Sequence, residues 1–218
     1  GESMGTSYKI VSGLEAGEEV VTYGSFTIDA AAQLNNQVSM MNRNVSVKKE
    51  KIGIPNFQAD TPNEFKLQLN ALSTEYFLLK DAFVNTNAEA AAKAAENVVA
   101  QIKKMDMDLL KGDAHLYWME QLNALEAHTQ KIIEMKDVEE QRRQFGFLSE
   151  ALINAIEAFG IKGEPVYVQY CPMAFDNQGA DWIASEEQIR NPYFGDKMLR
   201  CGLVQETLDE NYEIQEGE

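Results

Sequence analysis

The chain has 218 residues, 44% of them hydrophobic, and a formal net charge of -16 at neutral pH. This apolar content is enough for a buried core, whereas the negative charge argues against nucleic acid as a partner, because affinity for phosphate backbones comes mainly from Lys and Arg. No run of 18 apolar residues occurs, so the sequence predicts no transmembrane segment.

The first residues carry strand signals. Two short apolar runs, 8–11 and 19–23, are separated by the turn-rich segment 13–17. Residues 1–43 are therefore predicted to be a short β segment. Residues 44–60 are polar and aperiodic, and they are predicted to be a linker.

Four amphipathic helices are predicted next, because apolar residues recur at spacings of three and four. The predicted start signals are Thr61 with Pro62 and Glu64, then Thr86 with Glu89, Asp113, and Asp137 with Glu140, and Gly160 is predicted to end the last helix. Only Gly146 opposes helix formation locally. Short connections between four such helices predict an antiparallel four-helix bundle.

After Gly163 the apolar period becomes alternating, which predicts a strand at 166–170 that Pro172 ends. Residues 203–208 are predicted to be a returning strand. The fold class is thus α+β and mainly α, with the four-helix domain and a small C-terminal β element over 61–210 and an acidic tail at 211–218. This β element is expected to bring Cys171 and Cys201 together.

Both cysteines of the chain have a methionine at short spacing: Met173 follows Cys171, and Met198 precedes Cys201. Thiolate and thioether ligands select soft ions, above all Cu(I) and by extension Ag(I), whereas zinc sites normally use Cys and His. The residues alone leave three alternatives open: a metal site of these four sulfurs, a disulfide between Cys171 and Cys201, or reduced core cysteines.

His115, Trp118 and Met119 lie on one face of the predicted third helix. Imidazole and thioether groups can bind copper, so His115 and Met119 are candidate accessory ligands. Core packing explains Trp118 and Met119 more simply.

Sequence signals of an enzyme are lacking. The chain has no glycine-rich phosphate loop and no G-x-S-x-G or H-E-x-x-H motif. The prediction is a protein without catalytic residues and without an organic cofactor.

The N-terminal pattern V-S-G-L-E-A-G-E-E-V-V-T-Y-G-S-F-T-I-D-A, followed by Gln33-Leu34, resembles the periplasmic adaptor family, the membrane fusion proteins of tripartite efflux pumps. The resemblance implies that residues 1–43 are the last strands of a membrane-proximal domain. It also implies a periplasmic location, in a protein tethered to the inner membrane.

The C-terminal pattern V-Y-x-Q-x-C-P-M-A, G-x-x-W and I-x-N-P-Y-F-G-x-x-M-L-x-C-G resembles an uncharacterised domain found at the C-terminus of copper and silver efflux adaptors. This resemblance implies that Cys171, Met173, Met198 and Cys201 bind Cu(I) or Ag(I) as cargo for handover or sensing. The implied partners are the inner-membrane transporter, the outer-membrane channel and other adaptor protomers.

Overall fold

A computed structural model describes residues 53–210 and Tyr212, together with two short strands near the N-terminus. These strands, β1 (Ser3–Met4) and β2 (Ser7–Tyr8), pair antiparallel. Apart from Tyr8, the predicted strands at 8–11 and 19–23 lie outside the described residues, as do residues 44–52 of the predicted linker and, except for Tyr212, the predicted tail. The chain divides into two compact units, Gly1–Val47 and Lys48–Glu218. The helices, the larger sheet and both cysteines belong to the second unit.

Four α-helices make up most of this second unit. They are α1 (Asn63–Val84), α2 (Ala88–Ile102), α3 (Gly112–Glu134) and α4 (Val138–Phe159). Each helix packs against the next in the chain, and α4 also packs against α1, which closes the bundle. The loops between α1 and α2 and between α3 and α4 have only three residues, so these neighbours run antiparallel. Among the helices that the structure describes, none is both long and apolar enough to cross a membrane.

The helical periodicity read from the sequence correctly predicted the core. All five stripe residues of α1 are fully buried, and the stripes of α3 and α4 are buried along their length; these residues are Leu69, Leu72, Tyr76, Leu79, Phe83, Trp118, Leu122, Leu125, Ile132, Phe145, Leu148, Leu152, Ile156 and Phe159. The ring of Phe65 meets that of Trp118 edge-on, with centroids 5.1 Å apart. The α+β, mainly helical fold class is therefore confirmed.

The predicted helix ends are only partly correct. Asp137 caps α4 by accepting hydrogen bonds from the N–H groups of Glu139 and Glu140, and Gly160 ends α4 with φ of 77°. The other start signals were wrong. Pro62 holds the N-cap position of α1 without a side-chain bond, because the Thr61 hydroxyl donates to the Phe57 carbonyl instead.

The second and third helices also begin differently from the prediction. Asn87, and not Thr86, caps α2 by accepting from the N–H of Ala90. Helix α3 begins at Gly112 after Lys111, with no side-chain cap, so Asp113 lies inside its first turn. Thr86 has φ of 53° and uses its hydroxyl to accept from Arg142, which is why it is not available as a cap.

A three-stranded antiparallel sheet follows the bundle. Its strands are β3 (Val166–Cys171), β4 (Ala180–Ala184) and β5 (Leu203–Leu208), in the spatial order β4, β3, β5. Strand β4 packs on α4 and α1. A register shift between Val168 and Gln169 opposite β5 disturbs the alternation, so both of these neighbouring residues are buried. The predicted strands at 166–170 and 203–208 are therefore present.

Arg142 on α4 connects the bundle to the loop between β4 and β5. Its side chain is 1% exposed. Its Nε donates to the carbonyl of Pro192 at 2.8 Å, and its Nη2 donates to the carbonyl of Phe83 at 2.9 Å and to the hydroxyl of Thr86 at 3.0 Å. Its Nη1 forms an ion pair with Glu139 at 2.9 Å. The Phe83 carbonyl also accepts from the N–H of Thr86 at 3.0 Å, so the guanidinium is the more important donor for the Pro192 carbonyl.

We expect Arg142→Met to lower the free energy of unfolding of the full chain by about 2–4 kcal/mol, because the buried Pro192 carbonyl loses its Arg142 donor and the bonds from α4 to Phe83 and Thr86 are lost. Urea unfolding followed by circular dichroism measures this. Arg143→Met is the matched control, since Arg143 is the next residue on the same helix and is exposed, and a change below about 0.5 kcal/mol is expected there. Equal losses in the two variants would show that the Arg142 connection does not stabilise the fold.

Candidate metal centre

Cys171 is the last residue of β3 and is fully buried. It lies opposite Ala180 of β4, and Pro172 ends the strand immediately after it, as the sequence predicted. Because β3 is the central strand, it is hydrogen-bonded on both sides. The Cys171 thiol is therefore carried by the most constrained strand of the sheet.

Cys201 lies two residues before β5, in a tight turn where its N–H donates to the Met198 carbonyl at 3.0 Å. Its side chain is partly exposed. Pairing of Tyr170 with Leu203 brings the start of β5 beside the end of β3, so the two Sγ atoms lie 3.5 Å apart. The expectation that the β element brings Cys171 and Cys201 together is confirmed.

The distance between the two sulfur atoms can be compared with the distances expected for a disulfide and for two thiolates on one metal ion. A disulfide bond measures about 2.05 Å, so the two cysteines are free thiols in this structure. With metal–thiolate bonds of about 2.3 Å, two sulfurs on one ion lie about 3.8 Å apart in tetrahedral geometry and about 4.6 Å apart in linear geometry. The observed 3.5 Å is closer to the tetrahedral value. An ion shared in tetrahedral geometry would have two further coordination positions.

The surroundings of Cys201 favour its protonated form. Burial, together with the hydrogen bond and the charge interaction with Cys171, raises the pKa of the Cys201 thiol to about 11. A thiol binds a metal as its thiolate, so a metal must displace a proton that is tightly held at neutral pH. Without a metal, the Cys201 thiol is therefore a weak nucleophile at neutral pH.

Met173 is close to Cys171 in sequence but lies on the surface, with 45% of its area exposed. It borders a cleft of about 340 Å³, together with Phe175, Tyr193, Arg143 and Asp176. The thioether is thus accessible from solvent. Met173 is the most exposed of the four predicted sulfur ligands.

The turn after Met173 has an unusual backbone. The short helical segment α5 (Ala174–Asn177) is left-handed, with φ values of 51°, 59° and 65° at Phe175, Asp176 and Asn177. Asp and Asn tolerate this conformation, whereas at Phe175 it costs about 1–2 kcal/mol. A Cβ on Gly146 would approach the Phe175 ring to 2.9 Å. The glycine that interrupts the α4 pattern therefore makes room for this turn.

Met198 is partly buried and follows a 3-10 turn at Gly195–Lys197. Its carbonyl accepts the hydrogen bond from Cys201, so the backbones of the two residues are directly connected. The predicted spacing of three residues thus places Met198 and Cys201 in one turn.

The accessory candidates lie on another element. His115 and Met119 are on α3, which packs between α2 and α4, whereas the cysteines lie in the sheet region that packs on α4 and α1. The Nδ1 atom of His115 is 3.4 Å from the Met107 carbonyl, and Trp118 is fully buried in the aromatic core. In residues 53–210 and Tyr212, no three His, Cys, Asp or Glu side chains are grouped as a metal site of those types requires.

Asn191 is the first residue of the N-P-Y-F-G motif, and no role was predicted for it from the sequence. Asn191 is fully buried, and its Nδ2 donates to the Cys201 carbonyl at 2.7 Å. Its Oδ1 accepts from the N–H groups of Tyr193 and Phe194 at 2.8 and 3.3 Å. An Asn before a Pro in a turn-rich segment is the signal that indicates such a side-chain-closed turn.

Gly195 and Gly202 are the glycines that this region requires. A Cβ on Gly195 would lie 2.9 Å from the Val84 carbonyl at the end of α1, and a Cβ on Gly202 would lie 2.8 Å from the Tyr170 carbonyl. Both residues have positive φ. The glycines of the N-P-Y-F-G and M-x-x-C-G motifs therefore allow the loop to approach the bundle and the sheet closely.

Comparison with known proteins gives one family match. Residues 72–164 match a family described as a protein of unknown function, DUF3347. This similarity covers most of the helical bundle, less than half of the 218 residues, and ends before β3. No curated protein and no solved structure gave a significant match.

The raised pKa of Cys201 predicts how the thiol reacts with iodoacetamide. Since only the thiolate reacts, the rate constant of the full chain should rise about tenfold per pH unit from pH 7 and level off near pH 11. Removal of the neighbouring sulfur in Cys171→Ser should shift the midpoint towards the ordinary thiol range near 8.5. Peptide mass spectrometry of the Cys201 adduct measures both. A wild-type midpoint near 8.5 would contradict the described environment of this thiol.

Proposed function

We propose that this chain is part of a periplasmic adaptor of a heavy-metal efflux system and that it binds Cu(I) or Ag(I) as cargo. The observation that carries the proposal is the 3.5 Å separation of the Cys171 and Cys201 thiols, one fully buried and one partly exposed. Two thiols at this distance can share one ion, and soft ligands select monovalent copper or silver. The resemblance of the N-terminal and C-terminal motifs to efflux adaptors supports the same function.

The proposed chemistry is capture by ligand exchange. The cation replaces the protons of Cys171 and Cys201, and the two protons go to solvent. Met173 and Met198 are the proposed additional ligands, since Met198 lies in the turn that carries Cys201 and Met173 follows Cys171 by two residues. The partial exposure of Cys201 and the greater exposure of Met173 suit transfer of the ion to another protein.

The surrounding charge also supports a cationic cargo. The chain carries a net charge of -16, so it raises the local concentration of cations rather than of anions. On this proposal, the protein releases its ion to the inner-membrane transporter of a tripartite pump, and no step is catalytic. Other adaptor protomers and the outer-membrane channel are the remaining proposed partners.

The purified, reduced 218-residue chain is expected to bind one Cu(I). Cys171→Ser and Cys201→Ser are each expected to abolish this binding because a single thiolate remains. Met173→Leu and Met198→Leu should weaken binding without abolishing it. Competition with a chromophoric Cu(I) chelator gives the affinities. His115→Gln and Met119→Leu are controls on α3 and should leave the affinity unchanged. Wild-type affinity in both serine variants would overturn the proposal.

A second function is favoured by the same short distance. Thiol–disulfide exchange with an external disulfide, which takes up the two electrons and two protons and leaves as two thiols, would close the sulfur pair by about 1.5 Å into a disulfide that joins β3 to the loop before β5. The chain would then be a structural module that docks onto pump components.

A thiol count separates these two functions. Freshly isolated periplasmic protein, denatured in the presence of a thiol reagent, should give two free thiols per chain if Cys171 and Cys201 bind metal. A count of zero would show that the pair is a structural disulfide in the cell. Cys171→Ser is the control, and it should give one thiol per chain in either case.

A further inference from the structure

The loop that carries Cys201 is closed by one buried side chain, that of Asn191. Its Nδ2 donates to the Cys201 carbonyl, ten residues further along the chain, at 2.7 Å. Its own N–H donates to the Leu199 carbonyl at 2.8 Å. Both ends of the segment 191–201 are thus connected through a single residue, which has no exposed surface.

The same side chain orients the loop relative to the bundle. Its Oδ1 accepts from the N–H groups of Tyr193 and Phe194, which fixes the turn that follows. That turn presents the Pro192 carbonyl to Arg142 and the Tyr193 hydroxyl to the Asp181 carbonyl on β4. Asn191 therefore links the contacts that hold the loop against the helices and the sheet with the hydrogen bond that holds the Cys201 backbone.

We propose that Asn191 is the positioning residue of the thiol pair: its amide group holds Cys201 so that the Cys201 sulfur faces the sulfur of Cys171. Cys171 needs no such device because it ends the central strand of the sheet. Cys201 precedes its strand and is held by Asn191 and by the Met198 carbonyl. The positioning of Cys201 by Asn191 does not require a metal. Only the expected change in Cu(I) affinity rests on the proposed metal-binding function.

Asn191→Asp tests the amide donor with a side chain of the same shape. The carboxylate can still accept from the N–H groups of Tyr193 and Phe194, but it cannot donate to the Cys201 carbonyl. Asn191→Ser is a second variant, whose hydroxyl can close the turn but is too short to replace the amide. Tyr193→Phe is the matched control, because it removes one bond between the same loop and the sheet while leaving the bond to Cys201 intact.

Two probes are used on the reduced 218-residue chain. Phenylarsine oxide reports the position of the thiols without a metal: the two thiols displace its oxygen, forming two sulfur–arsenic bonds and one water. Cu(I) competition reports the metal site itself. We expect both Asn191 variants to bind each probe about tenfold more weakly, the equivalent of one lost hydrogen bond, and Tyr193→Phe to bind both as wild type does.

The outcomes are distinguishable. If the wild type binds phenylarsine oxide but not Cu(I), the proposed metal-binding function is wrong. The role of Asn191 is still tested in that case, because the affinities of the Asn191 variants for phenylarsine oxide can be compared with that of the wild type. Wild-type affinity for the arsenical in folded Asn191→Asp and Asn191→Ser would overturn the positioning role. Loss of folding in both variants, seen by circular dichroism while Tyr193→Phe stays folded, would also overturn it, because Asn191 would then be required for the fold as a whole.

Discussion

The geometry of the candidate site depends on the buried guanidinium of Arg142. This group joins the end of α1, the first turns of α4 and the loop at Pro192, and that loop leads through Asn191 to Cys201. The thiol distance is therefore set by the helical bundle as well as by the sheet. A three-stranded sheet needs a packed face for its own stability. It therefore could not hold a loop of this length without the helical bundle.

The helical core was predictable from the sequence because its signal is local. The apolar residues of α1 recur at helical spacing, and packing buries all of them. The start of α1 was mispredicted because the hydroxyl and the N–H of Thr61 both donate to the Phe57 carbonyl, four residues earlier. This local turn takes Thr61 out of the cap role and leaves the N-cap position to Pro62. Thr86 lost its predicted cap role to Arg142, a partner 56 residues away that no local pattern reveals.

The candidate site was predictable in part. The cysteines could be paired because a strand ends at Cys171 and another begins after Cys201. The role of Arg142 could not be predicted, since its burial depends on partners at least 50 residues away, Pro192 and Phe83. For Asn191, the following Pro indicates a side-chain-closed turn but does not reveal the bond to Cys201. Gly146 seemed only to weaken α4, but its missing Cβ leaves room for Phe175 in the left-handed turn beside Met173.

The central claim is that the two thiols bind one soft cation with thioether support. X-ray absorption at the copper edge of the Cu(I)-loaded, reduced 218-residue chain tests this most directly. The account predicts a first shell of three or four sulfur atoms at about 2.3 Å that loses one sulfur in Met173→Leu or Met198→Leu. A first shell of nitrogen and oxygen atoms, or one that does not change in Cys171→Ser and Cys201→Ser, would contradict it.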